Sequence, residues 1–173
     1  MDVKENQKES FETLLEEAKT LREEKTEIKS QSEQLFLYFR LGTEYYALKM
    51  EEIREITSKM PIFKVPGCQD YILGVVNLRG EIIPVIDLKK RLNLGESTLE
   101  KDFRVIIIRT FGEPLGMVVD EIEDMAEVSE ILPDEEEQLL EGKIRVTPKG
   151  SKEFKVIGVL NLKNIFFPEE SMM

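Results

Sequence analysis

The spacing of apolar side chains changes character once along the chain, at Gln34. Before it, Phe11, Leu14, Ala18, Leu21 and Ile28 follow the alternating three–four spacing of a heptad seam, with Lys25 in the slot between the last two. No Gly or Pro interrupts 1–33, so the spacing predicts an amphipathic helix over 10–28, with Ser10 placed to cap it. One narrow stripe does not hold a lone helix together in water, so this helix must dock, dimerise or fray. After Gln34 the period is strand-like. Segments 35–41 and 45–49 read as a hairpin turned by Gly42-Thr43-Glu44. Segment 50–56 reads as a helical turn or a strand entry. Segments 72–78 and 81–88 form a second hairpin about Arg79-Gly80, and Pro84 predicts an edge or a bulge in the returning strand. A short helical turn at 89–94 closes at Gly95. Segments 103–110 and 115–119 flank Gly112, with 122–128 as an extension of the latter. Segment 131–150 is polar and acidic, and 131–145 of it reads as an insert. A last strand spans 154–162, and a short helical end at 163–167 stops before Pro168.

A weak internal repeat runs through these strands. Ile72-Leu73-Gly74-Val75-Val76-Asn77-Leu78 resembles Val156-Ile157-Gly158-Val159-Leu160-Asn161-Leu162, 84 positions later. Leu41-Gly42 followed by Glu52-Ile53 resembles Phe111-Gly112 followed by Glu121-Ile122, with Ile122 lying 69 positions after Ile53. The two offsets differ by about the length of the acidic stretch 131–145. Either the chain is duplicated, or these matches show only how a tight apolar strand looks. Duplication predicts two similar small β-lobes in a pseudo-twofold relation, and many short strands with turn signals point to small barrels.

Composition narrows the function. With 24 basic and 35 acidic side chains in 173 residues the formal charge is −11, which disfavours binding to a phosphate backbone. There is no histidine, so the commonest general base and metal ligand is missing. Cys68 is the single cysteine and fits a reducing compartment. Neither a signal peptide nor a membrane-length apolar run is visible, so the expectation is a soluble cytoplasmic protein. No phosphate-binding, dinucleotide-binding or nucleophile-elbow motif occurs. Glu51-Glu52, Asp120-Glu121 and Glu135-Glu136-Glu137 read as solvated faces in so acidic a chain, and no D-x-D-x-D-G loop offers a cation site. The expectation is therefore no enzymatic activity, metal or cofactor. What remains is surface: a groove between two apolar lobes suits an amphipathic helix.

The stretch from Gly74 to Leu88, with its turn Asn77-Leu78-Arg79-Gly80 and its strand Ile82-Ile83-Pro84-Val85-Ile86-Asp87-Leu88, resembles the signature of the CheW family of bacterial chemotaxis coupling proteins. The strand at 35–41, Glu52-Ile53-Arg54-Glu55-Ile56 and Met117-Val118-Val119-Asp120-Glu121-Ile122 match in order, so the resemblance covers 34–167. It leaves out the extension 1–33 and the tail 168–173. The resemblance implies a mainly β fold of two intertwined five-stranded SH3-like barrels with short helices. It implies an adaptor without catalysis or cofactor, joining the cytoplasmic hairpin tip of methyl-accepting chemoreceptors to the regulatory domain of the histidine kinase CheA. It gives no nucleic-acid partner and no membrane insertion, the protein being cytoplasmic and attached to receptor arrays.

Carried over residue by residue, the resemblance assigns receptor binding to Ile53, Glu55, Gly74 and Arg79. Each has a plainer structural reading: Ile53 as core, Glu55 as a solvated carboxylate, Gly74 as a site of close strand packing. Arg79 at a turn tip reads as a solvent-facing charge or as a fork donor for a partner carboxylate. A kinase-binding surface is assigned to Met60, Ile62 and Phe63 around Pro61, where apolar residues on a loop suggest docking; the other reading is a loop folded onto the core. The rival function is a self-assembling scaffold driven by the N-terminal heptad helix.

Overall fold

A computed structural model describes residues 12–17 and 33–168. Ten strands run in the order β1 (Gln34–Leu41), β2 (Glu44–Lys49), β3 (Ile53–Thr57), β4 (Ile72–Leu78), β5 (Glu81–Asp87), β6 (Arg104–Phe111), β7 (Glu113–Val119), β8 (Glu121–Val128), β9 (Leu140–Val146) and β10 (Lys155–Leu160). Of the expected N-terminal helix, residues 12–17 are helical and fully on the surface, and we label them α1; the rest of 10–28 lies outside the described residues. Two short helices, α2 (Leu88–Arg91) and α3 (Leu162–Phe166), follow β5 and β10.

The strands form two five-stranded sheets. The first is ordered β8-β1-β2-β10-β9 and the second β3-β6-β7-β5-β4. Neither closes through a hydrogen-bonded ladder among the described residues, so the expected barrels are open sheets by this measure. Every neighbour relation in one sheet recurs in the other. The β1–β2 and β6–β7 hairpins are antiparallel, β10 lies parallel to β2 as β5 does to β7, and β9 and β4 pair antiparallel on the outside. At the other edge β8 joins β1 as β3 joins β6. The duplication is thus real as topology, and the 69-position match holds: Phe39 faces Tyr46 and Ile122 as Ile108 faces Leu115 and Ile53, whereas the 84-position match is out of register. Strand β10 matches β5, not β4. The cap of α2 is Asp87, accepting from the Lys90 amide, and the cap of α3 is Asn161, accepting from the Asn164 amide, 74 positions on. Gly74 matches Gly142: a Cβ on either would fall on a carbonyl, of Phe63 and of Leu132 respectively, and those two residues bridge to Val75 and Lys143. The likeness between Gly74-Val75-Val76-Asn77-Leu78 and Gly158-Val159-Leu160-Asn161-Leu162 joins strands that hold different places in the two sheets.

Three further expectations change. The stretch 131–145 is not an insert but runs into β9, whose Gly142, Ile144 and Val146 point inward while Lys143 and Arg145 point out. Strand β8 does not extend β7; after Asp120 the chain crosses to the first sheet. Pro84 sits in an interior strand. Val75, opposite it, directs both its N–H and its C=O to Phe63, so the ladder geometry turns the Pro84 nitrogen away from β4. Pairing with β7 begins only at Val85, and the missing N–H costs no bond.

Packing explains why the strands read as nearly continuous apolar runs. Strands β1 and β6 are buried on both faces. Phe36 and Tyr38 of β1 enter one small core with Ala47, Ile144, Ile157 and Val159. Leu37, Phe39 and Leu41, alternating with them, enter a large core between the sheets. Strand β6 does the same: Val105 and Ile107 pack into the second sheet's own core with Val76, Ile83 and Val118, while Ile106 and Ile108 join the shared one. Leu88 of α2 and Leu162 and Ile165 of α3 close that shared core.

Candidate functional site

The β4–β5 hairpin carries the sequence signature, and its tip is a two-residue turn in which Leu78 pairs with Glu81. Both turn residues have positive φ, Arg79 at +52° and Gly80 at +86°. That is the sense a tight hairpin requires, but for an arginine it is a strained choice. Asn77 steadies the turn by accepting from the Gly80 amide through Oδ1 at 2.9 Å.

Arg79 is not a free cation. Its Nη2 donates to Glu55 Oε2 at 2.7 Å, although the arginine side chain remains 68% exposed and the carboxylate 25%. Beside this pair Arg54 Nη2 reaches Glu81 Oε1 at 2.8 Å and Arg54 Nε lies 3.8 Å from Glu55. Strand β3 stands at one end of the second sheet and the β4–β5 hairpin at the other. The four charges therefore join the two ends of the sheet order, and the sheet curls until side chains do what the ladder does not. Two of the four, Arg54 and Glu81, carried no signal in the sequence, where alternating charges on short strands look like ordinary solvated positions.

The remaining predicted receptor-binding residues lie behind this cluster. Ile53 is buried in the shared core and offers no surface of its own. Gly74 lets the Phe63 backbone cross β4, with hydrogen bonds of 2.8 Å in both directions between Phe63 and Val75. Of the predicted kinase-binding loop, Met60 and Ile62 are half-buried and pack against the second sheet's core, so for these two the loop is folded inward. Phe63 is exposed. Met60, Pro61 and Ile62 also line a depression of about 390 Å³ with Lys59, Leu99 and Phe103. Cross-strand pairing sets Val75 opposite Pro84 and Asn77 opposite Ile82, and Ile82 is exposed like Phe63. The outer surface of the hairpin is thus an apolar strip that ends at the charged cluster.

Two carboxylates hold this region in place. Asp87 is buried and satisfied by the Ser97 amide at 2.9 Å and the Ser97 hydroxyl at 2.6 Å, besides capping α2. Asp120, at the crossover between the sheets, accepts from the Gly42 amide at 2.6 Å and from Lys89 Nζ at 2.9 Å, with Arg40 3.7 Å away. It ties the β1–β2 turn of one sheet to α2 of the other. In the sequence Asp120 looks like a surface carboxylate, because nothing local reveals that three donors from two distant segments converge on it.

Comparison with known proteins gives a consistent picture. A family model described as the CheW-like domain matches residues 35–167. The chain is 39% identical over 94 residues to the chemotaxis protein CheW of Bacillus subtilis, a match covering 54% of this chain and 60% of that protein. It is 27% identical over 150 residues to a probable chemotaxis protein CheW of Rhizobium etli, covering 82% of this chain and 93% of that one. Among solved structures, the scaffolding protein TtCheW from Thermoanaerobacter tengcongensis superposes with a TM-score of 0.68 at 31% identity, over 78% of this chain and 92% of that one.

Proposed function

This chain belongs to the CheW-like domain family, and from that premise we propose that it is a chemotaxis adaptor joining the cytoplasmic hairpin tips of chemoreceptors to the regulatory domain of the histidine kinase CheA. The observation that carries the reading is that the family match runs from the first strand through the last helix, leaving no strand outside it among the described residues. We place the receptor contact at the Arg79–Glu55 pair, with Gly74 and Ile53 shaping the backbone beneath it. A receptor carboxylate approaching Arg79 displaces Glu55 or shares the guanidinium fork, whose remaining donors are open to solvent. The kinase contact is assigned to Phe63, standing on the inward-packed Met60 and Ile62. An exposed ring on a loop bonded to a strand binds with little ordering cost. We assign the chain no catalytic group and no cofactor, and we place it in the cytoplasm at receptor arrays; among the described residues no helix is long and apolar enough to cross a membrane.

The test is a pull-down of the full chain with a receptor cytoplasmic hairpin and with a CheA regulatory domain, followed by kinase activation in the three-component mixture. Arg79→Glu is expected to lose receptor capture and retain kinase capture, and Phe63→Ser the reverse. Capture of neither partner by the unmodified chain refutes the reading.

A further inference from the structure

The two lobes repeat in fold but differ in charge on one matching surface. On the outer face of β9–β10, pairing sets Arg145 opposite Val156 and Lys143 opposite Gly158, and Phe154 continues the face beyond β10. Val156 and Phe154 are 53% and 58% exposed, and the Arg145 guanidinium lies 5.4 Å above the Phe154 ring. The equivalent positions of Lys143 and Arg145 on β4 are Val75 and Asn77. Between Lys143 and Lys155 stand five basic side chains and one acidic, in a chain whose net charge is −11. Among the described residues Lys143 pairs with Asp134 and Lys149 with Asp124, whereas Arg145, Lys152 and Lys155 have no carboxylate within ion-pair distance.

The complementary element is in the same chain. Residues 1–33 carry ten acidic and six basic side chains and the apolar stripe Phe11, Leu14, Ala18, Leu21 and Ile28. Where the structure describes this segment its stripe is uncovered, Leu14 being 63% exposed. Strand β1, which the segment enters at Gln34, lies two strand positions from β10. Val156 is level with Leu41, seven residues along β1 from Gln34, so the span is roughly 25 Å, within reach of the stretch between Leu21 and Gln34 when it is part helical and part extended.

We propose that the outer face of the β9–β10 hairpin is the docking surface for the chain's own N-terminal segment, 1–33. Leu14 and Leu21 cover Phe154 and Val156, and the flanking glutamates meet Arg145 and Lys152, while Lys155 stands on the other face over the Tyr45 ring. Tethering raises the local concentration of the segment to the millimolar range, so modest complementarity suffices. The contact is independent of the adaptor reading.

Full-length chain at low micromolar concentration, as an equal mixture of isotope-labelled and unlabelled copies, is treated with a zero-length carbodiimide cross-linker and digested. Links between glutamates of 1–33 and Lys152 within one copy are expected. Tryptic cleavage after Arg22 and Lys25 is expected to accelerate about tenfold in Arg145→Glu/Lys152→Glu, and equally in Leu14→Ser/Leu21→Ser, whose changes lie outside both sheets. Links that mix isotopes make a second copy the occupant and overturn the proposal. So do links confined to lysines elsewhere, or cleavage rates that neither variant changes.

Discussion

At Arg79 the backbone holds a left-handed conformation that costs a branched-free L-residue about 1 kcal/mol, and the side chain recovers part of this through Glu55. A half-solvated pair of this kind contributes about 0.5 kcal/mol. Arg79→Ala keeps the strain and loses the pair, so it should melt a few degrees lower. Arg79→Asn, better suited to positive φ, should melt at or above the parent. Both should lose receptor capture equally, and thermal melts beside the pull-down separate turn stability from recognition. A second residue makes stability depend on pH. Glu52, in the 3-10 turn Met50–Glu52, has its carboxyl pushed up to about 7, first by burial and then by the charge of Glu141, with Lys49 opposing and Glu51 adding. Its ordinary value is 4.5, so the folded state keeps a proton that the unfolded chain releases. The resulting stabilisation is fully present below about pH 4.5 and is lost as the pH rises through 7. Partial exposure screens it to about 1–2 kcal/mol. Melting temperature should therefore fall between pH 5 and pH 8. Glu52→Gln should flatten the fall and raise the value at pH 8, and an unchanged slope places the titration elsewhere.

Each lobe has a strap crossing its outer strand, 63 over Gly74 and 132 over Gly142, and the glycines are what let the backbones touch. Gly74→Ala and Gly142→Ala should each cost about 2–4 kcal/mol, since a Cβ meets a carbonyl that hydrogen bonds hold in place. Gly112→Ala, with φ +80° but open space around it, should cost only about 1 kcal/mol. Denaturant midpoints of the three variants check the ranking. The glycines also show where sequence reading stops. The β1–β2 and β4–β5 hairpins and the strand β6 were legible, because turns such as Arg79-Gly80 sit between apolar runs. Strand β9 was not, since Leu140-Glu141-Gly142-Lys143-Ile144-Arg145-Val146 exposes three charged side chains and follows an acidic stretch. The repeat was legible in kind and aligned at its 69-position match, but misaligned at its 84-position match. Strands buried on both faces share one vocabulary of Ile, Val and Leu, so any two of them match, and only caps and strap glycines distinguish position. In the site, Arg79 and Glu55 stand out in the sequence only separately, while their bond to each other depends on sheet curl, which no local pattern encodes.

Because Leu37, Phe39 and Leu48 of one sheet and Ile86, Ile106 and Met117 of the other fill the same core, neither sheet keeps its inner surface covered without the other. The full chain should unfold in one calorimetric transition, with equal exchange protection at the amides of Ile107 and Ile144, one in each lobe's own core. Two transitions, or protection differing by orders of magnitude, would contradict a shared core. The sheets nonetheless differ in how the chain visits them. The second sheet is one uninterrupted stretch, β3 to β7, whereas the first joins β2 to β10 across the 112 positions from Tyr46 to Gly158. A nascent chain therefore makes β1 and β2 first and must keep them waiting, hairpin formed but lateral partners unmade, while the inserted sheet is synthesised. Phe39 and Leu48 find their first lasting cover on that inserted sheet, ahead of β8 to β10. The interval of greatest risk for misassociation runs from the emergence of Val119 to that of Leu160, when a finished inner lobe and an edge-exposed hairpin share the same short tether to the ribosome.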